Sequence, residues 1–305
     1  MKSSPYHLKV SAKTRSLNFL RKFFILSGFD RSLARYSRNN KWKALVSRLI
    51  PPNYLYPPGT IRTCTVDGIN FKVDISDTVG HTNYYSLGDK AEKVLFDFVQ
   101  QGMNVIDIGA NIAGTSLNLA KRTSPGGKVF SFEPSPYNYQ QAAENISLNN
   151  FSNIKLINQG LGNIKTTAYL YDVNSNNRGM ARILNNGDRD GSYEKAAVEI
   201  DTLDSSMQKF DIPSPSLIKI DVEGYEFKVL KGGQETIMKH RPVLFIELDD
   251  NNLREQGNNA RELIQSLITL EYSIMDARTG SIIDENTNYT NCHFDILCKP
   301  ADAVN

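Results

Sequence analysis

Apolar residues fall into two rhythms along this chain. From Met103 onward, short apolar runs recur at 103–109, 128–133, 153–158, 216–221 and 242–248. Between and after them, stretches with apolar residues three and four apart lie at 113–122, 136–149, 224–239 and 258–269. Runs of the first kind read as buried strands, and the spaced stretches as helices that cover them. Strand-like runs at 165–171 and 196–200 flank a segment rich in Gly, Asn and Asp, 174–191. Two last strands, 271–276 and 292–298, suit an antiparallel hairpin at the sheet edge. The alternation predicts an α/β fold with a mostly parallel sheet, covered on both faces, that places ligands at the strand carboxyl ends.

The first hundred residues follow other patterns. Leu17, Leu20, Phe23 and Phe24 fall at helical spacing, as do Trp42, Leu45, Val46 and Leu49, and the turn-rich Pro51 to Gly59 reads as a linker. Thr60 to Ile75 alternates apolar and polar residues around Asp67-Gly68, a hairpin signal. A loop from Asp77 to Gly88 carries His81, Asn83, Tyr84 and Tyr85, and Ala91 to Gln101 is an amphipathic helix. Three parts result: a helical extension and linker (1–59), a hairpin, loop and helix on the acceptor side of a site (60–102), and the main α/β domain (103–305).

Charge changes the picture of the extension. Apolar residues make up 40% and charged ones 22% of the 305, which excludes a disordered chain. The net charge of +2 hides an asymmetry, because residues 1–50 hold twelve Lys and Arg against one acid, Asp30, and the remainder nets −9. A basic arm calls for an anionic partner: a membrane surface, a polyanion, or the chain's own acidic body. No window supplies the roughly 20 apolar residues of a membrane span, and Phe19 to Phe29 is broken by Arg21 and Lys22. Cys64, Cys292 and Cys298 form no CxxC pair, and reduced thiols point to a cytoplasmic protein, peripheral to the membrane if the arm docks there.

The chemistry is concentrated in Asn104 to Ser116, NVIDIGANIAGTS, and Lys128 to Pro136, KVFSFEPSP. Each half reads as a strand. The first ends in a turn of small residues that opens a helix, and the second carries Glu133 at its carboxyl end. This is a nucleoside-binding βαβ unit, with Glu133 placed to accept ribose hydroxyls. A dinucleotide needs Gly where Asn111 stands, and its diphosphate would be repelled by Asp107, so a nicotinamide cofactor is disfavoured. A ligand with an adenosine, no phosphate and a cationic amino-acid tail meets these demands. S-adenosylmethionine is such a ligand.

Core strands end in carboxylates or amides: Asp107, Glu133, Asn158 with Gln159, Asp221 and Glu247. Acids gathered at one edge raise one another's pKa, as in active sites. Methyl transfer to a hydroxyl needs a proton acceptor, and the candidates are Asp221, Glu223 and His81. Lys219, just before Asp221, is placed to pair with an acid of the site. Asp221 and Glu247 could share a Mg²⁺, but no third ligand matches, and no metal is expected. Tyr84, Tyr85, Asn83, Asn176, Asn177 and Arg178 have the composition of a sugar-binding surface.

VIDIGAN, FEPSP with Asn145 and Asn149 beyond it, IKIDVEGYEFKVLKGG at Ile218 to Gly233, and PVLFIEL at Pro242 to Leu248 resemble, in order and spacing, the motifs of the FkbM family of S-adenosylmethionine-dependent methyltransferases. One departure is Ala113, where the family usually has Gly. The resemblance implies a class I methyltransferase (Rossmann-like) fold and O-methylation, often of sugar hydroxyls in metabolites, glycolipids or polysaccharides. It implies that Asp107, Gly109, Ala110 and Asn111 hold the methionine part, and that Glu133 binds the ribose in a pocket shaped by Pro134 and Ser135. Gln159 and Gly160 then sit near the adenine, and Asp221 and Glu223 line the methyl-transfer face. The partners are a sugar-containing acceptor and, through residues 1–50, an anionic membrane surface. Nucleic acid is disfavoured for want of an Asn/Asp-Pro-Pro-aromatic tetrapeptide. A protein, lipid or small-metabolite acceptor, and a silent fold serving as an adaptor, stay open.

Overall fold

The computed structural model describes residues 11–37, 47–88, 90–172, 181–183 and 194–301. Trp42, Leu45 and Val46, and the candidate acceptor residues Asn176, Asn177 and Arg178, lie outside the described residues. The chain forms two compact units, 1–87 and 88–305, so the division falls inside the segment 60–102.

The first unit opens with helix α1 (Ala12–Ser27). The Ser11 hydroxyl accepts the Thr14 N–H at its start, and left-handed Gly28 ends it. Helix α2 (Phe29–Ser37) follows, then the hairpin β1 (Ile61–Val66) and β2 (Ile69–Asp74). Val66 pairs with Ile69 across Asp67-Gly68, both at positive φ, as a two-residue hairpin turn requires. The loop expected at 77–88 is instead helix α3 (Thr78–Tyr85), whose start is fixed by Asp77 accepting the Val79 N–H. Its aromatic residues turn inward. Tyr84 and Tyr85 are buried, and the Tyr85 hydroxyl lies 2.7 Å from that of Tyr56, which in turn donates to buried Asp30. These tyrosines are core, and the sugar-stacking role expected of them is withdrawn.

The second unit begins with α4 (Lys90–Phe98), β3 (Val105–Ile108), α5 (Gly114–Thr123), β4 (Val129–Phe132), α6 (Pro136–Ser147) and β5 (Ile154–Ile157). Four strands, β6 (Gly160–Leu161), β7 (Thr166–Asp172), β8 (Arg182–Ile183) and β9 (Glu194–Asp201), make a small second sheet in the order β6-β9-β7-β8. Then come α7 (Leu203–Lys209), β10 (Leu217–Ile220), α8 (Glu226–Gly232), α9 (Gln234–His240), β11 (Val243–Asp249), α10 (Asp250–Glu255), α11 (Ala260–Thr269), β12 (Tyr272–Asp276) and β13 (His293–Pro300). The main sheet runs β12-β13-β11-β10-β3-β4-β5. Its first five strands in chain order (β3, β4, β5, β10 and β11) are parallel, and β13 is antiparallel to both neighbours.

This is the expected class I methyltransferase arrangement with its antiparallel C-terminal hairpin. Strands β3 and β10 are buried along their whole length, which is why their sequences are apolar without alternation. The strand order reverses between β3 and β10, and the carboxyl ends at such a switch point are where open α/β sheets bind ligands. The single helix expected at 224–239 is two, broken at Gly232-Gly233. A Cβ on Gly232 would meet the Gly162 carbonyl at 1.9 Å. Among the described residues no helix is long and apolar enough to cross a membrane.

Candidate active site

The turn after β3 is pinned from several sides. Gly109 adopts φ 87, and a Cβ there would stand 1.8 Å from the Asp221 carbonyl oxygen, so this close approach of two strand ends admits only glycine. The Gly109 and Ala110 amides donate to the Phe132 carbonyl, and buried Asn145 of α6 donates to the Ile112 carbonyl. Asn111 and Ala113 both stand at positive φ, 52 and 66. The family's glycine is therefore replaced at a left-handed position, and the effect of Ala113 is backbone strain at the entrance of α5.

Glu133 follows the end of β4 and is 5% exposed. Its Oε2 accepts the Asn111 N–H at 2.8 Å and its Oε1 the Ser135 N–H at 2.8 Å. Each oxygen keeps acceptor capacity for a ribose hydroxyl. Burial pushes its carboxyl up to about 7, against the pull of those two amides and of Lys219. Ser135 caps α6 through the Asn138 N–H. Gln159 is buried, with its amide 3.5 Å from Asp201 and its carbonyl 3.4 Å from Lys209. Gly160 lies against Pro134, where a Cβ would sit 3.4 Å from the proline ring. Asn111, Glu133, Pro134, Ser135, Gln159 and Gly160 thus form one cluster at the ends of β3, β4 and β5. The donor set fits S-adenosylmethionine: a buried carboxylate for the ribose, and a turn whose glycine lets backbone approach the ligand.

Asp107 has a more internal role. It is wholly buried, accepts the Ser116 hydroxyl at 2.5 Å and lies 3.4 Å from the Lys219 ammonium, its register partner on β10. Its Oδ1 makes no hydrogen bond among the described residues and keeps acceptor capacity beside Lys219. Lys219 also pairs with Asp221 at 3.2 Å and donates to the Gly109 carbonyl. The two carboxylates hold it charged despite its burial, with its pKa raised. It ties the cofactor turn to the acids of β10.

Just past β10 and in the last part of β11, carboxylate oxygens of Asp221, Glu223 and Glu247 lie within 4.8 Å of one another, so Glu223 is the third ligand not matched in the sequence, and the grouping could hold a divalent ion or share a proton. Burial, then the charge of Asp221, pushes Glu223 up to about 8. Burial and the charges of Asp221 and Glu223 drive Glu247 well above the usual carboxylate range. Glu223 stands at φ 54, a left-handed conformation that is strained for a residue with a side chain. Three partners impose it. Asn252 of α10 donates to Glu223 Oε2 at 3.0 Å, the adjoining Gly224 packs on the Asn252 backbone, and buried Glu226 accepts the Val222 and Gly224 N–H groups at 3.0 Å each. Glu226 and Asn252 went unrecognised in the sequence. Glu226 is the first residue of α8 and braces the loop that precedes it, and its spacing from Asp221 is the only trace of that role in the sequence. His81 belongs to the first unit, where it is buried and its Nε2 bonds the Pro51 carbonyl at 2.8 Å, and burial lowers its pKa. It is therefore on a helix and not in the loop expected, and the candidate proton acceptor has its Nε2 bonded to a backbone carbonyl.

Residues 107–274, more than half of the chain, match the family described as Methyltransferase FkbM domain. Over 160 residues the chain is 29% identical to methyltransferase sdnD of Sordaria araneosa, covering 43% of this chain and 60% of the relative. It is 28% identical over 143 residues to Methyltransferase 1 of Beauveria bassiana (strain ARSEF 2860), covering 42% and 57%. The matches thus span less than two thirds of either relative's length. Among solved structures, the methyltransferase FkbM from Methylobacillus flagellatus KT aligns with a TM-score of 0.43 at 18% identity, covering 71% of this chain and 50% of that one.

Proposed function

The chain belongs to the FkbM family of S-adenosylmethionine-dependent methyltransferases, and on that premise we propose that it methylates a hydroxyl of a sugar-containing acceptor, with Glu223 taking the proton. When bound, S-adenosylmethionine supplies a methyl group on a sulfonium. The protein's part is to hold the donor, align the acceptor oxygen and remove its proton. Glu133 and the Asn111 turn bind the nucleoside end, and Gly109 sets the distance between that turn and Asp221. The acceptor oxygen would take the methyl group that the bound donor supplies, and its proton would pass to Glu223 Oε1, since Oε2 accepts from Asn252. Asp221, held by the Lys219 ammonium at 3.2 Å, orients the acceptor.

The observation that carries this reading is Glu223 itself, a strained carboxyl with its pKa raised into the working range, on a loop abutting the cofactor turn. The sugar acceptor rests on the family's usual substrates and on the affinity of clustered carboxylates for hydroxyl donors. The same reading keeps the protein in the cytoplasm, in line with Cys64, Cys292 and Cys298, none of which forms a disulfide. Incubation of the protein with radiolabelled methyl donor and separated polysaccharide, glycolipid and protein fractions tests the proposal. Label should enter a glycan-bearing fraction and survive mild alkali, as an ether does. Alkali-labile label, or label confined to protein, overturns it.

A further inference from the structure

Helix α1 presents an apolar stripe to solvent. Phe19, Phe23 and Leu26 stand at i, i+4 and i+7, one face of the helix, and are 79%, 62% and 86% exposed. Lys22 lies on the same face, three residues after Phe19 and four before Leu26, and is exposed. Lys13, Arg31 and Arg35 are exposed as well. The one acid of α1 and α2, Asp30, is fully buried and accepts the Tyr56 hydroxyl, so it neutralises none of these cations at the surface.

From this we infer that α1 docks on an anionic phospholipid surface, lying in the plane of the interface. An exposed row of large apolar side chains is unusual on a soluble protein and calls for an apolar partner. Lys22 on the same face, with Lys13, Arg31 and Arg35 exposed elsewhere on the two helices, calls for an anionic one. A bilayer bearing acidic headgroups offers both: acyl chains for Phe19, Phe23 and Leu26, and phosphates for Lys22 and its neighbours. A second copy of the chain fits poorly, because apposing two such faces brings like charges together. A nucleic acid satisfies the cations but leaves the aliphatic Leu26 without a partner. With 16 residues, α1 is about 24 Å long and too short to span the hydrocarbon core, so it lies on the surface. The inference is independent of the methyl-transfer reading.

Co-sedimentation of the full chain with phosphatidylcholine vesicles, with and without 30 mol% phosphatidylglycerol, tests it. Binding should be at least tenfold stronger to the anionic vesicles at low salt, and fall at least tenfold in 0.5 M NaCl. The triple variant F19S/F23S/L26S should lose at least tenfold in binding to the anionic vesicles. F19L/F23L, which stays apolar, should bind as the parent does. K13E/K22E/R31E/R35E should lose the preference for anionic lipid. All substituted positions are exposed, and circular dichroism confirms that each variant is folded. Three results overturn the inference: no vesicle binding at low salt, vesicle binding unchanged in the triple serine variant, or a solution dimer that the serine variant dissociates. Binding to a DNA duplex as tight as to anionic vesicles, and unchanged by the serine substitutions, assigns the face to a polyanion and overturns it too.

Discussion

Gly109 and Glu223 are the two residues whose backbone conformations the site cannot spare. Gly109→Ala would place a methyl 1.8 Å from the Asp221 carbonyl at a φ of 87. Gly102 has a similar φ of 84 with nothing within 4 Å. Gly102→Ala should therefore cost about 1 kcal/mol through φ alone. Gly109→Ala should cost about 2–4 kcal/mol and lower Tm by roughly 5–15 °C. Calorimetry should then show S-adenosylmethionine binding lost only in the second variant. Equal effects would mean that the contact with Asp221 is unimportant. For Glu223 the sign follows from its role: a base must be deprotonated, so kcat/KM should be low in acid, rise about tenfold per pH unit and level off near pH 8. Glu223 and Glu247 face each other, so the limb belongs to the pair of them. A cationic donor favours the ionised carboxylates, so kcat should level off at lower pH than kcat/KM. Glu223→Gln should reduce kcat by about 10²–10⁴ and abolish the rise. A variant that keeps the same pH profile would remove Glu223 from the chemistry.

The elements legible in the sequence are those whose burial is written into their own residues. The bodies of β3, β4, β10 and β11 are mostly apolar because both faces are covered, and Glu133 and Asp221, just past β4 and β10, mark the site. Elements announced by a single cap were missed: α3 behind Asp77, α7 behind Thr202 and α10 behind Asp249. The break between α8 and α9 comes from tertiary contact, since Gly232 abuts Gly162 and Gly233 abuts Leu203. The pairing of Lys219 with Asp107 depends on the register of two strands far apart in sequence, and no local pattern encodes it. The loop between β10 and α8 likewise depends on Glu226, whose buried carboxyl is pushed up to about 7 from 4.5. The folded chain therefore binds this proton more tightly than the unfolded chain. The associated stability is complete below about pH 4.5 and is lost as pH rises through 7. Glu226→Gln keeps an oxygen for the Val222 and Gly224 amides and removes the charge. It should leave stability unchanged at pH 4.5 and raise it at pH 8, by about 3 kcal/mol at most. Glu226→Ala, which strands both amides, should lower Tm at both pH values. A drop at pH 8 for the glutamine variant would show that the loop needs the charge.

On the scale of the whole molecule, two compact units divide the physical tasks. Both large hydrophobic clusters of 88–305 are built from its own residues: one joins Ile106, Ile220 and Ile246 to Leu263 and Ile296, and the other joins Leu95, Val105 and Leu217 to Phe245 and Leu297. Every residue placed in the cofactor and acid clusters also belongs to this unit. A domain of this size buries enough apolar surface to fold alone. The exposed apolar stripe of α1 belongs to the other unit. Residues 88–305 expressed alone should therefore unfold in one cooperative transition and bind S-adenosylmethionine within about twofold of the full chain, since every cofactor contact is retained. They should not sediment with anionic vesicles. If the fragment unfolds without cooperativity, or binds the donor more than tenfold more weakly, residues 1–87 complete the cofactor site. If it still binds vesicles, the lipid-facing surface lies on the acidic body, against its net charge.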